Sequence, residues 1–300
     1  MLEIDPNDIS IKELHQYLLS SIGPRPIALA STIDVNGINN VSPFSFFNVF
    51  SANPPILIFS PARRVRNNTT KDTLENVKKI KEVVINIVNE KIVEKMSLTS
   101  GEYPSEIDEF VKAGLTPIVS KKIKPKRVKE SPVQLECKVN QIIELGNEGG
   151  AGNLIICEVI FIHINSSILN ENNEIEQDKI QLIGRLGNNW YCKAFDQALF
   201  EIQKPTEKMG IGLDRIPERI RKSYIFNQND LAKLASINNI PSNHEIEKFR
   251  EKDIIQLLLQ GENDEEIREV LHTKAKEEID KNEIEKAWKF LLIDKLNQKL

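Results

Sequence analysis

The chain has 300 residues, room for one large domain or two ordinary ones. Apolar residues make up 40% and charged residues 28%, a globular composition that excludes disorder and collagen-like repeats. Forty basic against 44 acidic residues give a net charge of −4, which argues against a general electrostatic grip on nucleic acid.

The first residues, MLEIDPNDISIKEL, are acidic and polar and do not read as a secretory leader. The longest apolar run, Leu154–Ile164, is interrupted by Glu158 and His163, so no membrane span is expected. Cys137, Cys157 and Cys192 are widely spaced and odd in number. That spacing suits neither a disulfide framework nor a zinc site, and a reducing, cytoplasmic setting is expected.

Residues 22–200 read as β-rich. Strand formers cluster at Pro26–Thr32, Ile56–Ser60, Val83–Val88, Val133–Leu145 and Asn153–Ile164. Asp34-Val35-Asn36-Gly37 has hairpin-turn chemistry. Gly146–Gly152 (GNEGGAG) reads as a long hairpin connection, with a backbone cradle for a ligand as the other reading. Asp72 to Glu82 carries Leu74, Val77 and Ile80 on a helical stripe, and Asp72 with Glu75 has the form of a capping box. Many strands with few helices between them predict a barrel rather than a parallel βαβ sheet.

Residues 206–300 predict about three helices. One starts at the Ser242–Glu245 capping box and runs through Ile246, Phe249, Ile254, Leu258 and Leu259 to a stop at Gly261. A second is capped by Asn263 or Asp264, and a third carries Ile279, Ile284, Trp288, Leu291 and Leu292 near one stripe. The expected division is residues 1–205 for the β domain and 206–300 for a helical extension.

Motifs for serine hydrolysis, zinc proteolysis, the P-loop and the Rossmann dinucleotide site are missing from the sequence. Two stretches remain. Thr69-Thr70-Lys71-Asp72-Thr73 puts hydroxyls and a lysine at a helix start, the chemistry of an anion site, with Arg63, Arg64 and Arg66 just upstream. The alternative is a capped surface helix beside a solvated basic loop. Ser42-Pro43-Phe44-Ser45-Phe46-Phe47-Asn48 sets three phenylalanines among small polar residues, which suits either a planar ring system or an ordinary core strand.

In order along the chain stand Gly23-Pro24-Arg25-Pro26-Ile27-Ala28-Leu29-Ala30-Ser31-Thr32, then Ser42 to Asn48, Asn53-Pro54-Pro55 and Phe59-Ser60-Pro61. Lys71-Asp72-Thr73-Leu74-Glu75-Asn76, Glu130-Ser131-Pro132-Val133, Gly152-Asn153-Leu154 and Gly184-Arg185-Leu186-Gly187 to Trp190-Tyr191 follow. This ordered set resembles the flavin reductase-like family over roughly residues 20–200. The resemblance implies a mainly β, six-stranded FMN-binding split barrel with small helices, usually a homodimer, with the helical extension outside the family pattern. It implies that Ser31 and Thr32 lie beside the flavin. Ser45, Phe46, Phe47 and Asn48 would line the ring, and Ser60, Arg63, Lys71 and Thr73 would hold the phosphate. Arg185 would contact the second side, and Trp190 would either stack or join the core. The implied activity is flavin reduction by NADH or NADPH, passing electrons to a partner oxygenase or another acceptor. The alternative is an FMN-binding electron carrier without its own nicotinamide site. One departure bears on that choice: the Gly-Asp-His triplet that several such reductases carry is absent from this sequence.

Overall fold

A computed structural model of the chain describes residues 1–202, 209–249 and 263–293. The chain divides into two compact units, Met1–Phe200 and Glu201–Leu300. In the first unit the elements run α1 (Ile11–Ser21), β1 (Ala28–Ile33), β2 (Asn39–Phe44), β3 (Phe47–Ala52), β4 (Pro55–Phe59), α2 (Asp72–Ile80) and β5 (Glu82–Ile87). They continue with α3 (Val93–Leu98), α4 (Glu109–Ala113), β6 (Pro117–Ile118), β7 (Arg127–Val128), β8 (Val133–Glu144), β9 (Asn153–Ile164), β10 (Leu182–Arg185) and β11 (Tyr191–Ala194).

Seven strands form one sheet in the order β2-β1-β5-β8-β9-β4-β3, every neighbouring pair antiparallel. Its two edges, β2 and β3, are joined by only Ser45 and Phe46. Three peptide steps from Phe44 to Phe47 span about 10 Å at most. The opposite edges must therefore meet at this elbow, and the sheet curls into a barrel. Because β2 and β3 are not ladder partners, the barrel stays split there. Counted as one bent strand, β2 and β3 make the six strands expected. Pro43 lies in β2, an edge strand, where a missing N–H is tolerated.

The β1–β2 turn follows its local chemistry. Asp34 Oδ1 accepts from the N–H groups of Asn36 (2.9 Å) and Ile38 (2.7 Å), and Gly37 takes φ +89°. The strands then bury alternate residues on two faces. Ala28 and Ala30 of β1 join Phe44, Phe59, Val83, Ile85, Cys137, Ile155 and Cys157 in one cluster. Leu29 faces the other way, into a cluster with Val41, Met96 and Phe110. The apolar stripe of α2, Leu74 and Val77, packs into the first cluster.

Two local expectations change. Residue 71, not 72, is the N-cap of α2: Lys71 has φ −95° and ψ 150°, and no side chain caps the helix. Asp72 therefore stands one residue inside, and the Asp72–Glu75 capping box does not form. The helix ends at Ile80 rather than at Glu82, because Lys81 turns left-handed at φ 59°. A capping box does form at Ser10 and Glu13, starting α1, a helix outside the sequence expectations above. Trp190 is 72% exposed, which rules out its core alternative.

The second unit has its own core of Ile216, Ile220, Leu234, Leu271, Ile279, Trp288 and Leu291, among others. Ser242 and Glu245 form their capping box, and Asn263 caps the helix Asp264–Asp280 by accepting from the N–H groups of Glu265 and Glu266. Trp288 Nε1 donates to Leu234 O at 2.9 Å, so the buried indole is satisfied. Ile254, Leu258, Leu259 and Gly261 lie outside the described residues.

Candidate functional site

The loop from Ser60 to Thr70 leaves β4 and is shaped by its neighbours. Ser60 Oγ accepts from Asn153 N at 3.0 Å. Arg63 N–H donates to Ala151 O at 2.8 Å, and Gly150 N–H returns a bond to Arg63 O at 3.0 Å. The Gly146–Gly152 segment is thus the β8–β9 connection and also a clamp on this loop. A side chain at Gly152 would stand 2.8 Å from Ser60 Oγ, so close approach requires glycine. The Arg63 guanidinium turns back onto Asn68, donating from Nε to Oδ1 at 2.6 Å and from Nη2 to the backbone carbonyl at 2.8 Å.

The clamped loop delivers Arg64 and Lys71 to one side of a solvent-open cleft. Asn40, Ser42, Asp72, Thr73, Glu109 and the turn Thr99–Tyr103 complete its wall. Arg64 Nη1 donates to Thr69 Oγ1 at 2.9 Å and also to Thr70 O. The Lys71 ammonium lies 5.0 Å from the centre of the Phe44 ring and has no hydrogen bond or ion pair to any described residue. Burial, and then the like charge of Arg64, hold its pKa below the usual lysine range.

A buried hydrogen-bond hub stands behind this wall. Asn40 Oδ1 accepts from Thr73 Oγ1 at 2.8 Å and from Thr32 Oγ1 at 3.2 Å. Asn40 Nδ2 donates to Glu109 Oε1 at 3.0 Å, and Glu109 Oε2 accepts from Val41 N at 3.1 Å. Asn76 Nδ2 donates to Thr32 Oγ1 at 3.1 Å. Burial pushes the Glu109 carboxyl above its ordinary range, and Asp72 adds to the push; the bonds from Val41 and Asn40 oppose it.

A second group gathers at the β2–β3 elbow. Ser45 Oγ accepts from Arg25 Nε at 3.4 Å. Phe46 is exposed and meets His15 edge-on at 6.5 Å, and Phe47 packs against the barrel core. Asn48 is exposed, its Oδ1 accepting from Val49 N. Arg25 also donates from Nη2 to Leu186 O at 2.9 Å and exchanges backbone bonds with Arg185. Arg185 lies 4.5 Å over the Tyr191 ring.

Of the residues singled out in the sequence, the fold brings Lys71 and Thr73 into the cleft wall and Thr32 into the hub behind it. Ser45, Phe46, Phe47 and Asn48 share the elbow, with Arg185 next to it through Arg25. Ser60 and Arg63 support the loop with their side chains. Ser31 is fully buried, donating to Lys126 O at 2.5 Å and accepting from Asn86 Nδ2 at 3.3 Å. Sequence reading did not single out Asn40, Glu102 or Glu109. A polar Asn40 between Ile38 and Val41 in a buried strand was a usable signal. The two glutamates carry none, because only folding brings them to the cleft.

A profile for the flavin reductase like domain matches residues 20–178, more than half of the chain. The chain belongs to the flavin reductase-like family. An uncharacterized protein of Aquifex aeolicus is 42% identical over 189 residues, spanning 63% of this chain and 94% of that protein. Nitrilotriacetate monooxygenase component B from Bacillus cereus superposes with a TM-score of 0.63 at 32% identity, covering 67% of this chain and 98% of that one. A split-barrel domain of flavin-reductase type from Shewanella frigidimarina NCIMB 400 shares the fold, with a TM-score of 0.56 at 24% identity over 66% of this chain and 96% of that one. This family is flavin-binding, and its profile ends inside the first compact unit. No described helix is long and apolar enough to cross a membrane.

Proposed function

We propose that the chain is an FMN-dependent oxidoreductase that reduces its flavin with NADH or NADPH. The observation that carries this reading is Lys71. Its ammonium lies in a cleft at the uncapped start of α2, beside Arg64, without an anionic partner among the described residues. A lysine, an arginine and unbonded helix N–H groups suit a phosphomonoester. From Ser42 in the cleft wall, β2 runs about 10 Å to Ser45 at the elbow, room for a polyol spacer between phosphate and ring.

When bound, the flavin supplies the hydride-accepting chemistry. The protein's part is binding and orientation. Lys71 and Arg64 hold the phosphate, and Thr73 and Thr32 keep the start of α2 in place through Asn40. Ser60 and Arg63 act by fixing the loop that carries Arg64. Phe46 and Phe47 exclude water from one side of the ring, and Ser45 and Asn48 offer hydrogen bonds to its edge. Ser31 keeps β1 in register beside it, and Arg185 borders the second side. The functional domain is residues 1–205, with 206–300 as the extension. Exposed Phe46 at the elbow and exposed Val49 and Phe50 on the edge strand β3 support a homodimer. Component B of the Bacillus cereus monooxygenase supports a partner oxygenase as electron acceptor. Three free cysteines, two of them buried, suit a reducing cytoplasm.

The missing Gly-Asp-His triplet favours a second reading, an FMN carrier reduced by another protein. One spectrum separates the two. The FMN-loaded protein is mixed anaerobically with NADH, then with NADPH. Bleaching of the flavin band by either supports the reductase. A band that resists both but yields to dithionite supports the carrier. Absence of any flavin binding overturns both.

A further inference from the structure

We propose that Glu102 is a built-in counter-anion of the cleft, displaced when a flavin phosphate enters, and so determines how tightly phosphate-bearing flavins are held. This inference rests on the reading of the cleft as a phosphate site.

Carboxylates outnumber cations in the wall of the cleft. Arg64 and Lys71 face three carboxylates, Asp72, Glu102 and Glu109. The three are not equivalent. Glu109 is only 5% exposed, and both of its oxygens accept hydrogen bonds, from Asn40 and Val41. Asp72 occupies the first turn of α2, where the helix dipole offsets its charge. Neither is placed to leave.

Glu102 differs on each count. It stands on the turn between α3 and α4, and its side chain is 46% exposed. Its side-chain partners among the described residues are Arg64 and Arg66. Arg64 does not depend on it for position, since Thr69 and Thr70 already fix Nη1. Arg64 Nε faces Glu102 Oε1 at 3.3 Å but makes no directed hydrogen bond. This contact is one of charge, not of built geometry. Arg66 is mostly exposed, at the outer side of the same carboxylate. A side-chain rotation that gives up Arg64 and keeps Arg66 carries Glu102 out of the cleft, and phosphate takes its place. A ligand without phosphate gains nothing from that exchange.

The test titrates FMN and riboflavin into the full chain and its Glu102→Gln variant at low ionic strength, read by flavin fluorescence, with inorganic phosphate as competitor. Removing a half-exposed charge is expected to tighten FMN about two- to fivefold. Inorganic phosphate should compete more effectively by a similar factor, and riboflavin affinity should not move. Glu102→Ala should give the same gain, because charge rather than packing is removed. If Glu102→Gln binds FMN no better, or more weakly, Glu102 is a positioning residue for the arginines and the proposal fails. If the unaltered chain fails to prefer FMN to riboflavin and inorganic phosphate does not compete, the phosphate-site reading itself fails.

Discussion

Thr73 Oγ1 donates to Asn40 Oδ1 at 2.8 Å, and this one bond fastens the first turn of α2 to β2. The same amide takes Thr32 from β1 and gives to Glu109 from α4. Four elements that meet at the cleft thus share one buried side chain. Each unsatisfied partner in such a hub costs on the order of 1–3 kcal/mol, more when it is charged.

Asn40→Ala is therefore expected to lower the unfolding free energy by about 2–4 kcal/mol, since two hydroxyls and a carboxylate lose their partner together. Urea denaturation followed by far-UV circular dichroism measures it. A change below ~0.5 kcal/mol would show that water replaces the amide and that the hub is not structural.

Lys71→Ala should weaken FMN by about 1.5–3 kcal/mol, roughly 10- to 150-fold, through loss of a charge-assisted contact. Riboflavin should bind the variant and the parent alike. Quenching of flavin fluorescence on titration reports both constants. An unaltered FMN constant removes Lys71 from the phosphate site.

Glu136 gives a pH dependence with a definite sign. Its side chain is fully buried, which alone would raise its pKa. Bonds from Lys121 N–H (2.7 Å), His163 Nε2 (2.6 Å) and Lys122 N–H (2.7 Å) outweigh that burial, and the carboxyl lies below its ordinary range. A depressed folded-state pKa means stability that is present above the unfolded value and lost as pH falls through the folded one. Glu136→Gln should thus cost about 3 kcal/mol at pH 7, with the gap to the parent closing as the pH drops below the usual carboxylate range. Paired urea titrations at neutral and acid pH check it, and a gap independent of pH would assign the loss to shape rather than charge.

Much of the barrel is legible because its signals are local. Val133–Glu144 and Asn153–Ile164 announce themselves by β-forming side chains bounded by glycine turns, and Asp34–Gly37 carries its own turn chemistry. The ordered motifs from Gly23 to Tyr191 marked the family in the same way. Lys71 and Thr73 stood out because a helix start, a charge and a hydroxyl are neighbours in the chain.

The rest depends on distance along the chain. The N-cap of α2 falls on Lys71 rather than Asp72, a one-residue shift that local propensity does not resolve. Glu109 bonds Asn40 across 69 residues, and Arg64 meets Glu102 across nearly 40, so no local pattern announces either. The sequence by itself determined the strands, the turns, the family and the candidate anion motif, since each rests on side chains a few positions apart. Only the tertiary structure decided that the sheet closes at Ser45–Phe46, that Asn40 is the hub, and that carboxylates from α4 and the turn before it share the cleft with Arg64 and Lys71. Those outcomes follow from the burial of both faces of β1, a condition that only the packing of the whole barrel satisfies.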